Sequence, residues 1–347
     1  MTPFSYPPRA RRGDRVAIVS PSSRAAAEFP APVDLGLRRL RAEFGLEPVE
    51  YPTTRAPEAS PQERAADLHA AFADPQIAAV IATIGGDDEI KVLRYLEPEL
   101  FRANPKPFFG YSDNTNLLLY LWNLGIVGYH GASVMVQLGR PGSINPDTRV
   151  SLEAALLEGG WRTLVEPKEY TTVEGEWEDP RMLESEPRMT ASEGWEWHGP
   201  KRRVEGQSWG GCLEILDFHF RAARYLQPDE RYDGCVLFCE TSEEMPSPDY
   251  VYQVLMGIGE RGLLQRFAAV VWGRPKSWSH ANRNVFGEQL LYEEAQHEAV
   301  ETALAEYHPD VPWVFGVDFG HTDPQLVIPY GGDVVVDTGE LRIDVRY

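Results

Sequence analysis

The apolar positions of the first 130 residues fall in short unbroken runs. Segments 16–20 ("VAIVS"), 77–84 ("IAAVIATI"), 107–110 ("PFFG") and 126–129 are apolar nearly throughout, where a strand with one wet face would alternate. Between them, 32–44, 63–72, 89–101 and 115–124 space their apolar residues as helices do; Leu35, Leu37 and Leu40 mark the first, and Ile90, Leu93 and Leu96 the third. Alternating helices and continuously apolar strands predict an α/β fold, a Rossmann-like parallel sheet covered on both faces. In such sheets the working loops lie at the carboxyl ends of the strands. Gly85-Gly86 and Tyr111-Ser112-Asp113 both fall at such ends.

The periodicity dissolves between 161 and 207 into Glu, Pro, Thr and Trp. Five of the nine tryptophans (Trp161, Trp177, Trp195, Trp197, Trp209) lie between 161 and 209, so this stretch reads as a packed, loop-rich segment and not as a flexible linker. A second pattern follows: strands at 235–239 ("CVLFC"), 267–272 and 312–317, a helix entered through Ser247-Pro248 with Val251, Val254, Leu255 and Ile258 on one face, and a terminal hairpin of 333–337 with 340–345. The expected organisation is 1–160 as an N-terminal α/β domain, 161–207 as a connecting and substrate segment, and 208–347 as a C-terminal domain.

Composition narrows the partners. With 347 residues the size prior favours two domains. A formal net charge of -20 argues against a nucleic-acid polymer and against an anionic membrane surface, and leaves a small molecule or peptide as the expected substrate. No run approaches the ~18 apolar residues of a membrane span, and no apolar leader precedes the first strand, so a cytoplasmic protein is expected. Cys212, Cys235 and Cys239 lack metal-type spacing and read as reduced core thiols. No cofactor and no metal is expected, and Asp87-Asp88-Glu89 reads as acidic residues entering a helix, not as a magnesium site.

One motif is a decoy. Gly257-Ile258-Gly259-Glu260-Arg261-Gly262 fits a dinucleotide fingerprint, but it closes a helix where the fingerprint must open one. Ser112 is more informative. It sits at a strand-to-helix joint with Gly110 two residues before it, half of the G-x-S-x-G elbow; Asn114 replaces the second glycine. Asn114 is as good a helix cap as Ser112, which leaves the serine without a structural task. Backbone N–H groups at Gly85-Gly86 and at Asp113 can meet a developing oxyanion. Glu240 ends an apolar strand, whereas Glu243 and Glu244 read as a solvated face. His321 follows a strand in "VFGVDFGHTDPQ"; His69, His297 and His308 lie in polar helical stretches and read as exposed. His130 also ends a strand, and spacing does not choose between it and His321. A serine, an acid and a histidine, each at a strand end, suit a serine hydrolase whose base is oriented by a carboxylate.

These stretches together resemble one family. "FFGYSDNTNLLLYL", "ATIGGDDEIKVLRYL", "YHGASVM", "GQSWGGCLEIL", "ETSEEMPSPDYVYQVLMGIGERGLLQRFAAVVWGRP" and "FGVDFGHTDPQLVIPYG" occur in the order found in the LD-carboxypeptidase family of serine peptidases. The resemblance implies an N-terminal α/β domain joined to a smaller strand-rich C-terminal domain, with the active site between them and a homodimer as the usual assembly. It maps the triad onto Ser112, Glu240 and His321 and the oxyanion hole onto the amides of Gly86 and Asp113, beside Gly85. One branch of the family trims D-alanine from murein tetrapeptides. The other, microcin C immunity-like, cleaves the amide-type bond of aminoacyl- or peptidyl-nucleotide compounds. The Trp-rich segment and "ETSEEMPSPDY" are similar to the second, with Trp177, Trp195 and Trp197 as candidates to stack a base. Cys212 stands where the family pattern leads one to expect asparagine, at a substrate-binding position. Two other classes remain compatible with the residues: an unrelated esterase or amidase, and a non-catalytic ligand-binding protein with the same cleft.

Overall fold

The computed structural model describes residues 4–347 of the chain; residues 1–3, the start of the expected N-terminal domain, lie outside the described residues. Its first layer is built by β1 (Arg15–Val19), β2 (Glu47–Glu50), β3 (Ile77–Ala82), β4 (Phe108–Gly110) and β5 (Gly128–His130), all parallel in the order β5-β4-β3-β1-β2. The interior runs of β1 and β3 are fully buried, which is why their sequences carry no alternation.

The middle of the chain contributes β6 (Trp161–Thr163), β7 (Glu169–Tyr170), β8 (Thr190–Ala191) and β9 (Glu196–His198). Then come β10 (Arg203–Cys212), β11 (Val236–Glu240), β12 (Ala269–Gly273), β13 (Trp313–Val317), β14 (Ile328–Tyr330), β15 (Asp333–Asp337) and β16 (Arg342–Arg346). The second sheet runs β6-β16-β15-β10-β11-β12-β13-β9, with a parallel quartet β10 to β13 at its centre and antiparallel strands on both sides. It is the wider sheet because the Trp-rich segment lends it an edge strand at each end. That segment is therefore held by strand pairing, and an isolated bridge from Thr171 to Asp323 ties it beside His321. The chain then crosses back: β14 pairs antiparallel with β5 and completes the first sheet as its sixth strand.

The two layers share a core. Trp122 of the first half stacks on Tyr232 of the second at 5.5 Å, and Trp209 of β10 stacks on Phe267 at 5.7 Å. All four rings are buried. No described helix is long and apolar enough to cross a membrane.

Three local readings need correction. The expected helix over 89–101 is two 3-10 turns and a short helix, Pro98–Ala103, because Pro98 forces Glu97 into an extended conformation and can only begin a helix. Asn114 makes no cap; its side-chain amide serves the loop after β3. The long helix Phe286–Tyr307 shows in the sequence only as a polar helical stretch around His297, without its extent, since its buried positions begin only midway, at Gln296 (then Ala299, Val300, Ala303 and Leu304).

Candidate active site

Ser112 occupies a sharp turn between β4 and the helix Thr115–Asn123, with φ 61°. A non-glycine residue at positive φ costs ~1–3 kcal/mol and persists only where its surroundings fix it. Here the neighbours do the fixing. Asn114 donates to the carbonyl oxygens of Ile84 (3.1 Å) and Tyr111 (3.0 Å). The Asp113 carboxylate accepts from the Glu89 N–H at 2.9 Å and from the Asn116 amide at 2.7 Å. The loop that follows β3 is thereby tied to the elbow. Burial raises the pKa of Asp113 to about 6 against these hydrogen bonds. Glu89, fully buried with its carboxyl hydrogen-bonded to Ser22 at 2.8 Å, is pushed well above the usual carboxylate range by burial and by Asp113. It belongs to the support of this loop, and Asp88 pairs with Arg64 at 2.6 Å.

Gly85 leaves room for the serine. A Cβ there would lie 2.8 Å from Ser112 Cβ and 2.9 Å from its Oγ. The loop backbone can approach Ser112 this closely only without a side chain.

Glu240, the last residue of β11, is completely buried, and its Oε2 lies 2.6 Å from His321 Nδ1. Space for the pair is cleared by two glycines: a Cβ on Gly273 would meet Glu240 Cβ at 2.5 Å, and one on Gly320 would meet Oε2 at 2.9 Å. His321 lies edge-on to Tyr111 with ring centroids 4.9 Å apart, which brings it to the residue before the serine. Its Nε2 faces Glu243 at 3.1 Å, off the line of a hydrogen bond. Burial opposes the charged imidazolium, but the two carboxylates outweigh it and hold the His321 pKa well above the ordinary value. Burial likewise opposes ionisation of Glu243, yet the His321 charge takes its pKa down to about 2. The Glu243 side chain is still 50% accessible, so solvent reaches the carboxylate that the pairing holds.

His130, the rival histidine, is buried behind the acid, its Nε2 3.9 Å from Glu240 Oε1. Burial lowers its pKa to about 4, so it stands neutral beside Glu240.

Ser112, Gly85, Gly86, Tyr111, Glu243, His321, Trp177 and Glu174 line one cavity of about 220 Å³. Hollows of about 550 and 800 Å³ elsewhere on the surface contain neither Ser112 nor His321. Of the candidate tryptophans only Trp177 lines the Ser112 cavity. Trp195 is buried with its indole N–H on Asp318 at 2.9 Å, and Trp197 packs beside it; neither lines that cavity. Cys212 is not brought there either: its buried thiol donates to Glu214 at 3.4 Å. Sequence reasoning missed Glu243, which an acidic run disguised. It also missed Glu174, paired with the buried Lys276 at 2.6 Å; only the fold brings those two together.

The chain matches known proteins over most of its length. Residues 16–131 fit the LD-carboxypeptidase N-terminal domain, and residues 205–336 the LD-carboxypeptidase C-terminal domain. A Vibrio cholerae protein named as a carboxypeptidase is 26% identical over 96% of this chain and 96% of its own. The microcin C7 self-immunity protein MccF of Escherichia coli is 23% identical over 82% of this chain and 78% of its own. Among solved structures, a MccF-like protein from Streptococcus pneumoniae in complex with AMP superposes with a TM-score of 0.83 at 25% identity, covering 96% of this chain and 99% of that one.

Two outcomes follow from this geometry. Gly85→Ala should lower kcat about 10²-fold or more in the folded protein, because the added methyl displaces Ser112 and the adjoining amides; kcat within twofold of wild type would contradict the packing. Glu243→Gln removes one of the two charges that raise the His321 pKa, so the imidazolium gives up its proton at lower pH. The acid limb of the kcat/KM–pH profile should therefore move to lower pH. An unmoved limb, or one shifted upward, would contradict the pairing.

Proposed function

The chain belongs to the LD-carboxypeptidase family of serine hydrolases, and on that footing we propose that Ser112, His321 and Glu240 form its triad. The observation that carries this reading is the 2.6 Å contact between buried Glu240 and His321 Nδ1, in a ring that shares a cavity with Ser112. Glu240 accepts a hydrogen bond from Nδ1–H, stays ionised and leaves Nε2 to act as base. Once Glu243 swings away and Nε2 is deprotonated, His321 takes the Ser112 hydroxyl proton as Oγ attacks the acyl carbon. The N–H groups of Gly86 and Asp113 receive the oxyanion. His321 then gives its proton to the leaving nitrogen, an acyl-enzyme remains, and a water activated by the same ring releases the acid and restores Ser112.

For substrate, we propose the amide-type bond of aminoacyl- or peptidyl-nucleotide compounds. Trp177 supports this: it is half-buried, lines the cavity and is set against Phe29 at 5.6 Å, and an indole at such a place can stack a base. Such stacking contributes ~1–3 kcal/mol. The AMP bound by the Streptococcus pneumoniae protein points the same way. A second reading, release of terminal D-alanine from a murein tetrapeptide, is favoured by the adjoining recess, where Arg140 and Lys276 lie together. Both cations are already ion-paired, to Asp323 at 2.7 Å and to Glu174 at 2.6 Å, which weakens it. A homodimer in the cytoplasm completes the proposal.

The test is hydrolysis of an aminoacyl-sulfamoyl nucleoside and a murein tetrapeptide side by side, by the wild type and by Ser112→Ala. The wild type should cleave the nucleoside compound faster, and Ser112→Ala should lose about 10⁴-fold or more in kcat while unfolding at the same denaturant concentration. Cleavage of the tetrapeptide alone would overturn the substrate; full activity of Ser112→Ala would overturn the triad.

A further inference from the structure

The inner face of β9 holds a second group of side chains that the hydrolase chemistry does not use. In a strand, residues two apart share a face, so Glu196 and His198 point the same way and Trp197 the other. β9 is an edge strand, paired antiparallel to β13 with His198 opposite Trp313 and Glu196 opposite Phe315. The helix Phe286–Tyr307 supplies His297, which is not the exposed residue its acidic surroundings suggest: its side chain is only 18% accessible.

His297 Nε2 lies 3.2 Å from His198 Nε2 and 3.7 Å from a Glu196 carboxylate oxygen. One donor atom from each of the three residues falls within 4.8 Å of the others. The rings are oriented by an aromatic floor. His198 stacks on Trp313 at 4.1 Å and 16°, and His297 sets its edge against Phe315 at 4.7 Å. Two imidazole nitrogens aimed at each other from this distance can share one proton. They are also spaced as two ligands of a single ion: bonds of about 2.0–2.1 Å at a tetrahedral angle put nitrogen ligands about 3.3–3.4 Å apart.

We propose that Glu196, His198 and His297 bind one divalent transition-metal ion of the zinc class, leaving a position open to water. Two imidazoles and one carboxylate suit zinc, nickel or copper; magnesium and calcium prefer all-oxygen sets. None of the three residues lines the Ser112 cavity, so the ion acts on structure. It would fasten β9 to the long helix, next to Trp195, whose indole holds Asp318 at the loop that leads to His321.

Untagged, chelator-stripped full-length protein should be titrated with zinc in competition with a chromophoric chelator, and its melting followed with and without the metal. The wild type should take up one equivalent and melt at higher temperature with zinc but not with magnesium. His198→Gln and His297→Gln should each weaken binding about 10-fold or more and lose the zinc-dependent shift. If either fails to fold by circular dichroism, Glu196→Gln, changed at a largely exposed side chain, should still weaken binding. The absence of saturable one-equivalent binding in the wild type, or an unchanged isotherm in the folded variants, would overturn the site.

Discussion

A carboxylate sealed from water must be paired, and Glu240 is such a group. Removing it from solvent alone costs several kcal/mol even after relaxation. His321 Nδ1 at 2.6 Å is what offsets that cost. The pair spans from the end of β11 to the loop after β13, passing over β12, and that is possible only because the residue of β12 beneath it is Gly273. Gly320 clears the other side. Parallel strands deliver all of these residues at one edge of the sheet, where loops are free to vary while the scaffold stays fixed.

The first sheet meets the same edge from the other side. Its elbow carries Ser112 in a strained conformation, held by two hydrogen bonds with the loop after β3: the Asp113 carboxylate accepts from the Glu89 N–H, and the Asn114 amide donates to the Ile84 carbonyl. Ser112 and the proposed oxyanion donors are thus parts of one braced unit. His130 and Tyr111 fill the space between the two sheets' edges, one behind Glu240 and the other against His321. His321 stands between two carboxylates, Glu240 buried and Glu243 half exposed. Both carboxylates favour the charged imidazolium over the neutral ring, and Glu243 is the one that solvent reaches.

Much of this was legible in the sequence, for physical reasons. Parallel strands buried on both faces must be apolar throughout, and 77–84 reads that way at a glance. An elbow needs a small residue before its serine, and Gly110 provides one. Other features were not legible because they depend on distant pairing. Asn114 has the composition of a cap, yet its amide is claimed by the Ile84 carbonyl. Glu243 looks like one more solvated acid until the fold brings His321 to it. Trp177 and Trp195 are equivalent in a composition, but the strand pairing of β9 sends Trp195 into the interior and leaves Trp177 at the cavity. The strand β14 could not be assigned to the first sheet from local pattern, because nothing local records a crossing of the chain between layers.

The central claim is that Ser112 is made nucleophilic by a histidine that Glu240 orients. Intact-protein mass spectrometry with a fluorophosphonate probe tests it directly. The wild type should gain one adduct, mapped by peptide sequencing to Ser112, and Glu240→Gln should gain it markedly more slowly. An adduct at another residue, or equal labelling rates in the two proteins, would contradict the account.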